Sequence, residues 1–243
     1  MPPPPTLPAL LDRLVADDAT RPLVTYYDDA TGERIELSVK SFDNAVAKTA
    51  NLLQDELGTD PGETCCLLLP THWQAAVWVF AVAACSLRLV DDPAGADVVV
   101  CHPGTLDTAT TAGARDVVAM ALQPLGGPSP DPLPSGVLDH GLEAPGQPDV
   151  FIASTPVEPS TELSTGQTQQ SVLRRAAAAA DATGLGAGGR LLTDRSPADP
   201  DGLVTGMLAA AVAGGSVVLV RNGDPAGVDR RVQQEQVTVT AWE

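Results

Sequence analysis

At 243 residues and a formal charge of −17, the chain is long enough for an α/β fold that buries roughly 70–75% of its unfolded surface. It is too acidic for partners held mainly through lysine and arginine, which excludes nucleic acid and anionic membrane surfaces. Hydrophobic residues make up 44% but aromatic ones only 3%, so aliphatics and alanine must fill the core.

The first expected element is a helix over Leu7–Asp17, with Leu10, Leu11, Leu14 and Val15 on its apolar side. Leu23–Tyr27 and Glu33–Leu37 are strand-like, and the turn formers of Asp28–Gly32 between them predict a β-hairpin. Ser41 is the expected N-cap of the next helix. Phe42, Val46, Ala50, Leu53 and Leu57 recur at helical spacing, and Gly58 closes the helix.

The organising stretch is Pro61–Val90. Pro61-Gly62 signals a turn, and Thr64–Leu69 has the length of a buried strand. Pro70, which has no N–H for a ladder, ends it. Thr71 is the expected cap of a strongly apolar helix over Ala75–Cys85. A buried strand feeding a buried helix is half of a βαβ unit and predicts a covered, largely parallel sheet. Residues 87–90 and Asp97–Cys101 read as further strands. The few residues of Asp91–Ala96 cannot supply a crossover helix, which needs about a dozen residues or more. Sequence alone therefore leaves their pairing open.

Thr105–Gly113 reads as a helix and Asp116–Leu122 as a strand. Gln123–Pro148 is rich in proline and glycine, carries no periodicity, and reads as a long surface loop or inter-lobe linker. Asp149–Ser154 is a candidate strand, followed by a Ser/Thr-rich stretch whose order the sequence leaves open. Thr165 or Thr168 caps a helix running to Ala182. The β/α alternation then continues with a strand at Arg190–Thr193, a helix at Asp201–Ala213 and a strand at Ser216–Arg221. A helix at Val228–Gln236 and a strand beginning at Val237–Ala241 complete it.

The segments TYYDDATGERIELS (25–38), PGETCCLLLPTHWQ (61–74) and LLTDRSPADPDGLVTGMLAAAVAGGSVVLV (191–220) resemble the N-terminal lobe of adenylate-forming enzymes, the AMP-binding, acyl-CoA synthetase-like superfamily. Within it, the chain is most similar to a short, degenerate actinobacterial branch. The resemblance implies an α/β fold of layered sheets with helices on both faces. It implies two subdomains, 1–122 and a truncated 149–243, joined by 123–148. It also implies ATP and Mg²⁺ as cofactors and activation of a carboxylate as an acyl-adenylate.

The family's phosphate loop is a Ser/Thr/Gly-rich run after a strand that ends in Pro-Lys. Its matching place is FIASTPVEPSTELSTGQT (151–168), where Ser154, Thr155, Ser164, Thr165 and Gly166 are the candidate nucleotide-binding residues. Pro156, Val157, Glu158 and Pro159 stand where the family has glycines, and no lysine follows. Phosphate loops need glycine so that successive N–H groups converge on oxygen. Prolines subtract donors, and Glu158 and Glu162 add negative charge. Lys40 and Lys48 are the only lysines and lie upstream of the organising strand. The family's later acidic motifs and its C-terminal lid lie beyond Glu243. No catalytic residue is carried over.

Other constellations read as structure. Gly184, Gly186 and Gly189 satisfy G-x-G-x-x-G, but a helix precedes and a strand follows, the reverse of what the dinucleotide pattern requires. They read as a helix C-cap. His72, His102 and His140 are dispersed, and no G-x-S-x-G elbow exists. Cys101-His102 at a strand end reads as a satisfied pair in preference to a nucleophilic dyad. Asp91, Asp92 and Asp97 are too few for a cation site and read as a solvated turn. Trp73, Trp78 and the Ala176–Ala180 run read as packing. Cys65, Cys66, Cys85 and Cys101 follow no zinc spacing and read as buried, reduced thiols.

The proline leader Met1–Pro5 has neither a positive n-region nor an apolar core. The longest apolar stretches are broken by Ser86 and Arg88 and by Gly214-Gly215, short of a membrane span. A cytoplasmic, soluble location is the expectation. The leading functional expectation is a non-catalytic protein of this ancestry, binding nucleotide or acyl groups weakly or contacting a protein partner. A second is an adenylate-forming component completed by a partner chain. A third is an unrelated α/β binding protein.

Overall fold

The computed structural model describes residues 3–124 and 126–242. Helix α1 covers Leu7–Asp18, capped by the Thr6 hydroxyl, which accepts from Ala9 N at 3.3 Å. Strands β1 (Pro22–Asp28) and β2 (Glu33–Ser38) form the expected antiparallel hairpin. Helix α2 (Val39–Asn51) runs on into a π-helical turn over Leu52–Glu56 and ends at Gly58, whose φ is +61°. Its cap is Ser38 and not Ser41: Ser41 N donates to Ser38 Oγ at 3.1 Å. The helix can start directly at the end of the hairpin because Ser38 closes both elements.

Strand β3 (Thr64–Leu68) leads to α3 (Trp73–Ala84). Here too the cap differs from expectation. His72 Nδ1 accepts from Gln74 N at 3.1 Å, while the Thr71 hydroxyl donates to Asp194 O at 3.0 Å. Next come β4 (Arg88–Val90), β5 (Val98–Cys101), α4 (Leu106–Thr111), β6 (Asp116–Ala119), β7 (Val137–Asp139) and α5 (His140–Glu143). The hairpin of β8 (Glu162–Ser164) and β9 (Gln167–Thr168) precedes α6 (Gln169–Thr183). The remainder is β10 (Arg190–Thr193), α7 (Pro200–Gly202), α8 (Ala209–Val212), β11 (Ser216–Arg221), α9 (Val228–Gln234) and β12 (Val239–Ala241). A π-helical stretch, Leu203–Leu208, joins α7 to α8.

The chain folds as two compact units, each assembled from segments that are not contiguous in sequence. One comprises Met1–Asp43, Pro70–Ala76 and Gln170–Glu243; the other comprises Asn44–Leu69 and Val77–Gln169. The first holds a five-stranded sheet of order β12-β10-β11-β1-β2, parallel except for the edge strand β2. Tyr27, Leu192, Val218 and Val220 form a core cluster there, covered by Val228, Val232, Val237 and Trp242.

The second unit holds a seven-stranded sheet, β7-β6-β5-β3-β4-β8-β9, parallel except for β9. Its core gathers Cys66, Val99, Cys101, Ala109 and Ala119. The pairing left open by sequence is settled here. β4 and β5 are not neighbours; they flank β3 on its two edges. With only three residues in β4, the return needs about 10 Å of chain, which the intervening loop spans without a helix.

Two expectations are corrected. Residues 123–148 are not a featureless loop or a connector between the units. They supply β7, paired in parallel with β6, and the short helix α5. Asp149–Ser154 forms no strand among the described residues; side chains of another element satisfy the carbonyls of Val150 and Ile152, as described below.

Candidate functional site

The stretch that matches the phosphate loop lies wholly in the second unit. Ser154 and Thr155 sit in an exposed bend, and Ser164 ends β8, where it is in register with Leu89 of β4. Thr165 and Gly166 form the β8–β9 turn, and Gly166 has φ +71°, a backbone conformation disfavoured for residues with a Cβ.

Three backbone donors of this stretch are already engaged. Gly166 N donates to Glu162 Oε1 at 2.6 Å, and the other oxygen of Glu162 lies 3.4 Å from Arg88 Nη1. Ser154 N donates to Gln54 Oε1 at 2.8 Å, and Glu158 N to Thr161 Oγ1 at 3.1 Å. Pro156 and Pro159 have no N–H. A like charge about 4 Å from a phosphate opposes it by about 4 kcal/mol at an effective dielectric near 20, less where solvent screens it. A triphosphate therefore does not fit this loop: it meets a carboxylate where the turn offers its amide.

The lysines cannot compensate. Lys40 Nζ pairs with Asp43 at 3.0 Å. Lys48 Nζ donates to Pro145 O and Gln147 O and pairs with Asp149 at 3.1 Å. Beside it, Asn51 Nδ2 donates to Pro148 O at 3.1 Å and Val150 O at 3.0 Å. Gln54 Nε2 donates to Ile152 O at 3.2 Å. Polar side chains of α2 and its π-turn thus do what a neighbouring strand would have done for residues 148–154. Nothing in the α2 pattern, read for its apolar face, signalled this role.

The remaining candidates are structural. His102 Nδ1 accepts from Gly104 N at 3.2 Å, capping the turn before α4, while Cys101 is fully buried and its thiol is pushed up to about 11 by burial. Cys66 is raised by burial to about 11 and Cys85 to about 12; Cys65 is raised further still. All four cysteines are free and buried, hence inert. Asp97 Oδ2 accepts from both N and Oγ1 of Thr64 at 2.7 Å, and Asp92 caps Ala94 N. No group of acidic, histidine or cysteine residues among the described ones can hold a metal ion. His140, lowered to about 4 by burial, stays neutral against Trp78 and within 3.1 Å of the Thr49 hydroxyl. Gly184 closes α6 with φ +71°, as its position between helix and strand requires.

Sequence reading missed the polar network of the first unit. Glu235, nearly buried, accepts from Arg34 Nε at 3.2 Å, from Arg190 Nη2 at 2.5 Å and from the Tyr27 hydroxyl. Burial alone would raise its carboxyl, but these three donors outweigh that and hold it below the ordinary range. Arg190 and Glu235 border an open cleft of about 390 Å³ with Arg21 and Ser216, at the amino ends of β1, β10 and β11. Ligands of open parallel sheets bind at the carboxyl ends, and here the guanidiniums already have partners: Arg21 donates to Gly215 O at 2.6 Å.

No helix among the described residues is long and apolar enough to cross a membrane. No protein-family model matches the chain. Its fold is similar to that of an acyl-CoA synthetase of Brucella canis (TM-score 0.80, 16% identity, 98% of this chain and 47% of that one). It is also similar to the anthranilate CoA ligase AuaEII in complex with anthranoyl-AMP (TM-score 0.76, 12% identity, 100% and 50%). The chain thus spans about half the length of these solved structures. The two helix-flanked sheets resemble those of the N-terminal lobe of acyl-CoA synthetases, the fold that the sequence resemblance implied. A Mycobacterium tuberculosis (strain ATCC 25618 / H37Rv) protein described as a TIGR03089 family protein is 41% identical over 235 residues, covering 95% of each chain, and this chain belongs to that family.

Proposed function

We propose that the chain is a synthetase-like protein that performs no carboxylate activation by itself and either binds nucleotide or acyl groups weakly or contacts another protein. The observation that carries this reading is the Glu162 carboxylate seated on the Gly166 amide at 2.6 Å. In an adenylate-forming site that amide would face a phosphate. Pro156 and Pro159, and the engagement of both lysines elsewhere, support it further. Transition-state stabilisation in adenylyl transfer is chiefly electrostatic, so a loop that presents negative charge supplies none of it.

ATP–pyrophosphate exchange with the purified chain across a panel of aliphatic and aromatic acids tests the reading, and silence is expected. Exchange by the chain alone would refute it. Exchange that appears only with a co-purifying protein would favour the alternative, an adenylate-forming component completed by a partner. A thermal-shift screen with ATP, AMP and acyl-CoA measures residual binding, since a ligand at about 100 times its Kd raises stability by about 2.7 kcal/mol.

A further inference from the structure

We propose that the chain edge at Phe151–Ser154 takes up an extended, apolar segment of another protein that is flanked by lysine or arginine, adding it as a strand. The inference goes beyond the reading above and does not depend on the phosphate loop being inactive.

Among the described residues the exposed large hydrophobics are Leu142, Val150 and Ile152, at 63%, 69% and 79%. Val150 and Ile152 lie two residues apart on the stretch that Asn51 and Gln54 hold, in the second unit. Through Phe151–Ala153 the chain runs without turn or bend. One of its edges is already matched: the Gln54 carboxamide donates to Ile152 O at 3.2 Å and accepts from Ser154 N at 2.8 Å. That is the pattern a peptide group of a neighbouring strand would make, and it requires residues 152 and 154 to face the same way. Phe151 and Ala153 then face the opposite way, and among the described residues their N–H and C=O groups form no hydrogen bond. An unpaired edge bearing exposed Val and Ile is a template for strand addition.

Charge selects the occupant. The surroundings carry Asp55, Glu56, Asp149 and Glu158, all exposed, and Lys48 is held by two carbonyls and Asp149. A second copy of this chain would bring the same acidic rim and a net charge of −17 to the contact. A basic-flanked strand meets neither penalty.

The test uses the full chain and a nonapeptide, Lys-Lys-Val-Thr-Val-Thr-Val-Lys-Lys, blocked at both ends. Hydrogen exchange should slow at the amides of Phe151 and Ala153 when the peptide is added. Its affinity should exceed that of the version with Glu for Lys at least about ten-fold, and should fall with salt. Peptide methylated on alternate backbone nitrogens should not bind. Val150→Thr with Ile152→Thr, both on the exposed side, should weaken binding without altering the thermal transition. Equal binding of both charge versions, no protection at 151 and 153, or a self-dimer already protecting those amides would each overturn the proposal.

Discussion

The Glu235 network makes the sharpest demand on the structure. Replacing Glu235 by Ala removes the nearly buried carboxylate that two guanidiniums and a phenol now share, leaving Arg34 its pair with Glu36 and Arg190 its bond to the Thr25 hydroxyl. Removing one partner of a buried charge pair costs about 3–5 kcal/mol. Arg34 is 42% exposed and can rehydrate, whereas Arg190 is 15% exposed and cannot do so easily, so the lower end, about 3 kcal/mol, is expected. Glu235→Gln keeps the shape and an acceptor but loses the charge, and should cost about 1–2 kcal/mol.

The pH dependence follows from the depressed carboxyl. A group whose folded pKa lies below its unfolded value contributes fully above the unfolded value, about 4.3 for Glu. That contribution is lost as pH falls through the folded value. Wild type should therefore lose stability more steeply than Glu235→Gln as pH falls below about 5. Urea titrations at several pH values, followed by the fluorescence of Trp242, which covers the core of the same unit, read both effects. A Glu235→Ala loss below about 1 kcal/mol, or identical acid limbs for wild type and Glu235→Gln, would refute the network's energetic role.

Three further outcomes are expected. Asn51→Ala should cost about 2 kcal/mol by leaving Pro148 O and Val150 O without their donor, and exchange should rise locally around residue 150; an unchanged profile would show that Asn51 does not hold the segment. Gly166→Ala should destabilise by about 1 kcal/mol because a Cβ is strained at φ +71°, and a neutral or stabilising result in thermal melts would contradict that turn geometry. The four thiols should resist an aromatic disulfide reagent at pH 8 until the chain is unfolded, since burial raises each of them; rapid native-state labelling would place at least one at the surface.

Where hydrophobic period and punctuation act within a few residues, the sequence was decisive. The hairpin at residues 22–38, the strand stopped by Pro70, the apolar helix after it and the closure at Gly58 and Gly184 follow from side-chain alternation, a missing N–H and left-handed glycine. The prolines of 151–168 and the lack of a lysine after it are local facts too, so the expectation about that stretch rests on the sequence alone. Partners distant along the chain were not legible there. Which strand separates β4 from β5, and whether Val137–Asp139 joins a sheet edge, depend on contacts that no window of sequence contains.

The same limit applies to the polar groups. Asn51 and Gln54 lie off the apolar positions from which that helix was read, yet they satisfy carbonyls about a hundred residues away in the chain (separations of 97 to 99). Glu235 carries no signal in the sequence, yet it gathers Tyr27, Arg34 and Arg190 from three strands. Composition and period specify which side chains seek burial. Only tertiary packing decides which polar groups are stranded with them and must find each other.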